Sequence, residues 1–144
     1  MRKMGLDIGD KRIGIAISDA MNITAQSKEV LKRTDHKKDL ELIKDYIDKY
    51  EVEEIIVGLP KNMDGSIGPQ AEKVKNYFNF LNNNLDIPIK FWDERLSTRE
   101  AERFLIKADL SREKRKNVID RVAAAIILQS YLNYQNNLGG NKDG

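Results

Sequence analysis

The sequence predicts an α/β domain of three layers: a mixed five-stranded sheet, antiparallel hairpin strands first and parallel strands after, flanked by helices. Three observations predict it. Met4, Leu6 and Ile8 alternate with Gly5, Asp7 and Gly9, and after a short turn Ile13, Ile15 and Ile17 alternate with Gly14, Ala16 and Ser18, a period of two that reads as a β-hairpin. Runs at helical spacing then alternate with short apolar runs, the mark of parallel crossovers. Two more helical patterns close the chain.

Each remaining element has its own signal. A third strand over Ile23 to Leu31 is diluted by Gln26, Ser27 and Lys28 and finished by Val30 and Leu31. From Lys37, the residues Leu40, Ile43, Ile47 and Tyr50 mark a helix, and EIIVG, Glu54 to Gly58, a buried strand. Pro60, Asn62, Asp64 and Gly65 make GLPKNMDGS a loop. Ala71, Val74, Phe78 and Leu81 predict the next helix, and Ile87 to Trp92 the fifth strand. STRE, with Ser97 and Glu100 in capping-box spacing, opens another helix. The last runs from a Ser111 cap to about Asn133 along Val118, Val122, Ile126 and Gln129. Residues 1–135 are thus expected to form one domain, and 136–144, polar and glycine-rich, a flexible tail.

Bulk composition excludes several classes. At 144 residues there is room for one core but not for two full lobes. No apolar run approaches the roughly 20 residues that span a bilayer, and no apolar segment precedes a small-residue cleavage site, so a cytoplasmic protein is expected. The chain has no cysteine, which removes disulfides and thiolate chemistry. Its net charge of +2 does not announce a nucleic-acid partner, so only local clustering of basic residues can.

Three acids stand where chemistry is expected. Asp7 shares a strand face with Gly5 and Gly9, opposite Gly14 and Ala16, a surface almost bare of side chains that suits the close approach of a phosphate or cation. Glu94, in FWDERLST, ends a buried strand where α/β domains hold ligands; successive residues face opposite ways, so one of Asp93 and Glu94 enters the site while the other points away or caps the turn, the rival reading being an ordinary polar strand end with an Arg95 ion pair. Asp120, in NVIDRVAAAIILQSYL, is in line with Ala123, Ala124, Ile127 and Tyr131; those alanines allow the helix to approach the glycine face, so that Asp120 meets Asp7. Carboxylates so placed stay ionised together only around a multivalent cation. With no cysteine and His36 read as solvent-facing, hard oxygen ligands favour Mg²⁺ or Mn²⁺ over zinc. Basic residues cluster at Lys11 and Arg12, at Lys32, Arg33, Lys37 and Lys38, and at Arg112, Lys114, Arg115 and Lys116, flanks that suit a phosphodiester substrate.

The stretches GLDIGDKRIGIAISD, IIVGLPKNMDGS, DERLST and IDRVAAAIILQSYL, in that order over nearly the whole chain, closely resemble the YqgF family of pre-16S ribosomal RNA nucleases, also called Holliday-junction-resolvase-like proteins, of the ribonuclease H superfamily. The resemblance implies a ribonuclease-H-like fold and a catalytic, metal-binding triad of Asp7, Glu94 and Asp120. Two Mg²⁺ or Mn²⁺ ions about 4 Å apart would act with substrate bound, for in-line hydrolysis without a covalent intermediate. Gly58, Pro60, Asn62, Arg95 and Thr98 fall on motif positions that shape or bind substrate; Lys11, Arg12 and Arg121 join them as substrate-binding candidates. Arg121 contacts a phosphate or pairs with Asp120. The implied substrate is the 5′ end of pre-16S rRNA in ribosome biogenesis, with ribosomal particles as further partners of a monomer or homodimer.

Three rivals share parts of this pattern. A resolvase cutting branched DNA uses the same three carboxylates but presents two active sites through a symmetric dimer. A non-catalytic RNA-binding or ribosome-assembly module keeps the acids for structure. Actin-like sugar kinases and ATPases have a first phosphate loop like DIGDKRIG, but they need two lobes, and Asp10 stands where their loop has Thr or Ser.

Overall fold

The computed structural model describes residues 1–62, 64–97 and 111–143, with backbone only at 115–117, 120 and 138–143. The hairpin forms as the alternation dictates: β1 (Arg2–Ile8) pairs antiparallel with β2 (Arg12–Ser18), placing Asp7 opposite Gly14 and Gly5 opposite Ala16. Next comes β3 (Ala25–Lys32), antiparallel to β2. It starts later than the pattern predicts because the backbone around Ile23 is already satisfied. The Asp19 carboxylate accepts from the amides of Ile23 and Thr24, and the Gln129 side chain bonds both Ile23 O and Ala25 N. Gln26 and Ser27 blur the sequence pattern since β3 is an edge strand, freed from the demand for two apolar faces.

Helix α1 (His36–Tyr50) begins where the Asp35 side chain accepts from Lys38 N at 2.9 Å. Strand β4 (Val52–Leu59) follows, then α2 (Pro69–Asn84), with proline at its first turn, and β5 (Ile89–Asp93). The sheet order is β3-β2-β1-β4-β5, with β4 and β5 parallel to their neighbours, so the predicted mixed sheet of five strands is the one observed.

Two apolar cores lie on its two faces. One gathers Met4, Leu6, Ile13 and Ile15 with Leu40 and Ile43 of α1 and Val74 and Leu81 of α2. The other joins Ala16 and Ile56 to Ala124, Ile127, Leu128 and Leu132 of the last helix, α3 (Arg112–Asp143). Ser111 caps α3 as predicted, accepting from Lys114 N. Two features of α3 differ from its sequence reading. Val122 leaves helical geometry (φ −119°, ψ 18°), so the predicted line through Val118, Val122 and Ile126 is broken, and burial instead follows Ala124, Ile127, Leu128, Tyr131 and Leu132. The helix also runs past Asn133, to Asp143, since extending a formed helix needs only one backbone hydrogen bond per residue and no new nucleus.

Among the described residues no helix is long and apolar enough to cross a membrane.

Candidate active site

The site forms at the carboxyl end of the sheet, where β1, β4 and β5 finish side by side. Asp7 is half-buried near the end of β1. Glu94 follows β5 directly and is helical, as are the described residues after it, 95–97. Strand β4 runs between their two strands, and what lets the acids meet across it is Gly58: a Cβ there would lie 2.9 Å from Glu94 Cγ and 3.0 Å from Glu94 Oε1. The two carboxyl groups are hydrogen bonded to each other. Burial first, then the charge of Asp7 and this hydrogen bond, push Glu94 up to about 8. The metal-free pair therefore holds a proton that an ordinary pair of carboxylates would have released.

Asp93 takes the other role that strand alternation leaves open. Its Oδ1 accepts from Arg95 N at 3.0 Å, capping the turn that carries Glu94, and Oδ2 pairs with Arg95 Nη2 at 2.7 Å. The hydrogen bonds and charge of Arg95 hold the Asp93 carboxyl below its ordinary value against the opposing effect of burial. Ser97, predicted to cap this helix, lies inside it instead: its hydroxyl donates back to Glu94 O, because Asp93 already occupies the cap position.

Helix α3 covers the site from one face of the sheet. A Cβ on Gly5 would lie 2.7 Å from Ala124 O and 2.8 Å from Leu128 Cβ, so this glycine admits the helix backbone rather than a ligand, which narrows the bare face proposed from sequence. Gly14 stays close to Asp7: a Cβ there would be 3.5 Å from Asp7 Cβ. Asp120 lies on α3 one residue before Arg121; its side chain is outside the described residues. Among the described residues, no three His, Cys, Asp or Glu side chains form a metal-binding group.

A cleft of about 390 Å³ opens from Asp7 toward β3, lined by Arg12, Gly14, Glu29, Arg121 and Ala123 among others. Arg12 of β2 and Arg121 of α3 both line it. Lys11 is exposed at the hairpin turn. Pro60 follows β4, and Asn62 holds the loop: it donates to Ser66 Oγ, and its backbone pairs with Ser66 O and Gly65 N. Arg95 packs near the same loop, its Nη1 3.5 Å from where a Gly65 Cβ would be. Thr98 lies outside the described residues. His36 is exposed as predicted, yet its ring packs on Tyr77 and Phe80. Sequence reasoning missed Glu29 and Ser27 in the cleft; the polarity that blurred β3 was the available signal.

Comparison with known proteins bears on the family and the fold. The family model described as RuvX, Holliday junction resolvase, matches residues 1–134. A relative from Halothermothrix orenii, named "Putative pre-16S rRNA nuclease", is 67% identical over 140 residues, covering 97% of this chain and 100% of its own. One of the same name from Thermoanaerobacter pseudethanolicus is 57% identical over 138 residues, covering 95% of this chain and 99% of its own. Among solved structures, T. thermophilus RuvC in complex with Holliday junction substrate aligns with a TM-score of 0.61 over 94% of this chain and 95% of that one; at 13% identity, the likeness is one of fold.

Proposed function

The chain belongs to the RuvX, Holliday junction resolvase, family, and from that premise we propose that it is a divalent-metal-dependent nuclease acting in the cytoplasm on the 5′ end of pre-16S rRNA. The observation that carries this reading is the hydrogen-bonded Asp7–Glu94 pair at the strand ends, bordered by Arg12 and Arg121. The substrate is inferred from the names of the two relatives, each aligned over nearly its full length.

The pair suits a hard cation. It offers only carboxylate oxygens, and burial together with the charge of Asp7 keeps a proton on Glu94. Asp7 and Glu94, with Asp120 as the third member of the set, would hold Mg²⁺ or Mn²⁺, two ions once substrate is bound. The chemistry such ions supply is a lowered pKa for a bound water and charge stabilisation at the leaving 3′-oxygen. The chain's own residues do the rest. Glu94 sheds its shared proton as positive charge arrives. Arg12 and Arg121 draw the phosphate backbone toward Asp7, and Asp93 holds the turn that aims Glu94. Asn62 and Arg95 shape the neighbouring loop, while Lys11 and Pro60 border the path of the strand.

The test compares wild type with Asp7→Asn on end-labelled pre-16S 5′-leader RNA and on a four-way DNA junction, each with Mg²⁺, Mn²⁺ or EDTA. Metal-dependent RNA cutting that the substitution abolishes is expected. Paired cuts in the junction, with leader RNA intact, would instead assign the resolvase activity in the family's description. Equal cutting by Asp7→Asn would remove the carboxylate pair from the mechanism.

A further inference from the structure

A second groove lies behind the hairpin turn, on the α1 and α2 side of the sheet, and the site described above makes no use of it. About 270 Å³ in volume, it is lined by Asp10, Arg33, His36, Lys73, Asn76 and Tyr77. Arg33 organises it. The Arg33 amide donates to Lys11 O at 2.9 Å and Nη1 to Gly9 O at 2.7 Å. Its guanidinium carbon sits 4.7 Å from the centre of the Tyr77 ring, and Nη2 lies 3.5 Å from His36 Nε2. The His36 ring is itself held by Tyr77 and Phe80, with centroids 5.4 and 5.0 Å away.

Two features point to an anionic ligand. The guanidinium is fixed by a backbone carbonyl and an aromatic face, so its remaining N–H groups lose little freedom on meeting a phosphate. Lys73 Nζ lies 3.3 Å from Asp10, but both side chains are more than half exposed (61% and 57%), and so open a pair exchanges readily for a phosphate oxygen. Pinning the turn explains Arg33 alone; it gives no reason for Lys73 and His36 to face the same space.

The groove is also placed for the purpose. Gly9 lines the Asp7 cleft and accepts Arg33 from the groove side, so the hairpin turn is a wall one residue thick between them. A strand leaving the cleft over that turn brings its next phosphates to the groove.

We propose that Arg33, His36 and Lys73 form a second nucleic-acid contact, which grips a backbone phosphate of the substrate strand on the far side of the hairpin turn from Asp7. This rests on the nuclease reading and adds a site to it.

His36 is the single histidine of the chain, so its ring proton signals are assigned without ambiguity. The experiment titrates leader RNA into the full chain carrying Asp7→Asn, which keeps the RNA intact, and follows those signals together with RNA affinity at several salt concentrations. The His36 signals are expected to move. Adding Lys73→Ala should weaken binding several-fold and reduce the slope of log affinity against log salt by about 0.7 to 0.9, one counterion's worth. In the cutting-competent chain, Lys73→Ala and His36→Ala should raise KM with little change in kcat. Unmoved His36 signals and an unchanged slope, with RNA bound and wild type still cutting, would overturn the groove alone. A wild-type chain that neither binds nor cuts RNA would overturn both readings. Since the His36 signal is read with the groove intact, folding of the variants does not enter that result.

Discussion

Gly58 and Glu94 occupy space that only one side chain can fill: a Cβ on Gly58 would stand 2.9 Å from Glu94 Cγ, and it would also press on Ile127 Cδ1. The glycine on the middle strand is what allows an acid from β5 to reach an acid on β1.

Gly58→Ala should therefore displace Glu94 from Asp7. Overpacking of this kind costs about 1–3 kcal/mol, and misplacing a reacting group by an ångström can cost about 10²-fold in rate. The expected outcome is a folded chain with a lower midpoint in urea and cutting of leader RNA reduced ~10- to 100-fold. Wild-type cutting by Gly58→Ala would show that Glu94 does not need this position.

The raised Glu94 gives a pH dependence of definite sign. The unfolded chain releases this proton near 4.5, whereas the folded, metal-free chain keeps it to about 8. Folded protein thus binds more protons than unfolded over that window, so its stability falls as pH rises from 4.5 toward 8. Thermal melts in EDTA should show this decline, and Glu94→Gln should flatten it. With Mg²⁺ present the decline should be offset, because cation and proton compete for the same oxygens, and the stabilisation by Mg²⁺ should be greater at pH 8 than at pH 6. Melts in EDTA that are level across the window would contradict the pairing.

Asp93 and Arg95 offer a test of positioning. Asp93→Asn keeps an oxygen to cap Arg95 N but loses the ion pair, while Asp93→Ala loses both. Cap removal costs about 1 kcal/mol. The order of cutting rates should be wild type, then Asn, then Ala, with the metal concentration for half-maximal rate rising in the same order. Equal rates in all three would mean that the turn carrying Glu94 is held by other contacts.

At the far end of the sheet, Glu54 accepts from Lys3 Nζ at 3.0 Å, Lys90 Nζ at 2.9 Å and the Tyr131 hydroxyl at 3.0 Å, tying β1, β5 and α3 together. Burial pushes this carboxyl up, but the three donors outweigh it and leave Glu54 below its ordinary value. Its contribution is present above pH 4.5 and is lost as pH falls further. Glu54→Ala should cost about 3 kcal/mol, as expected when one member of a buried charged cluster is removed. Denaturant melts at pH 7 would measure it, and cutting by the folded fraction should stay unchanged.

The sequence by itself determined the order and type of the elements. The alternation at Met4 to Ile17, the helical periods from Lys37 and Ala71 and the capping Ser111 are local patterns, and local patterns reflect which face of each element is buried. It also singled out Asp7 and Glu94, because an acid at the end of an apolar strand costs free energy that local structure does not return. Only the tertiary structure decided which neighbours those acids would have. That Gly58 serves Glu94 while Gly5 serves the backbone of α3 depends on strands and helices distant in the chain. So do the cap by Asp93 in place of Ser97 and the kink at Val122 that moves the buried face of α3. Each is a matter of packing distance between elements, set by the strand order β3-β2-β1-β4-β5, and a one-dimensional pattern carries no distances.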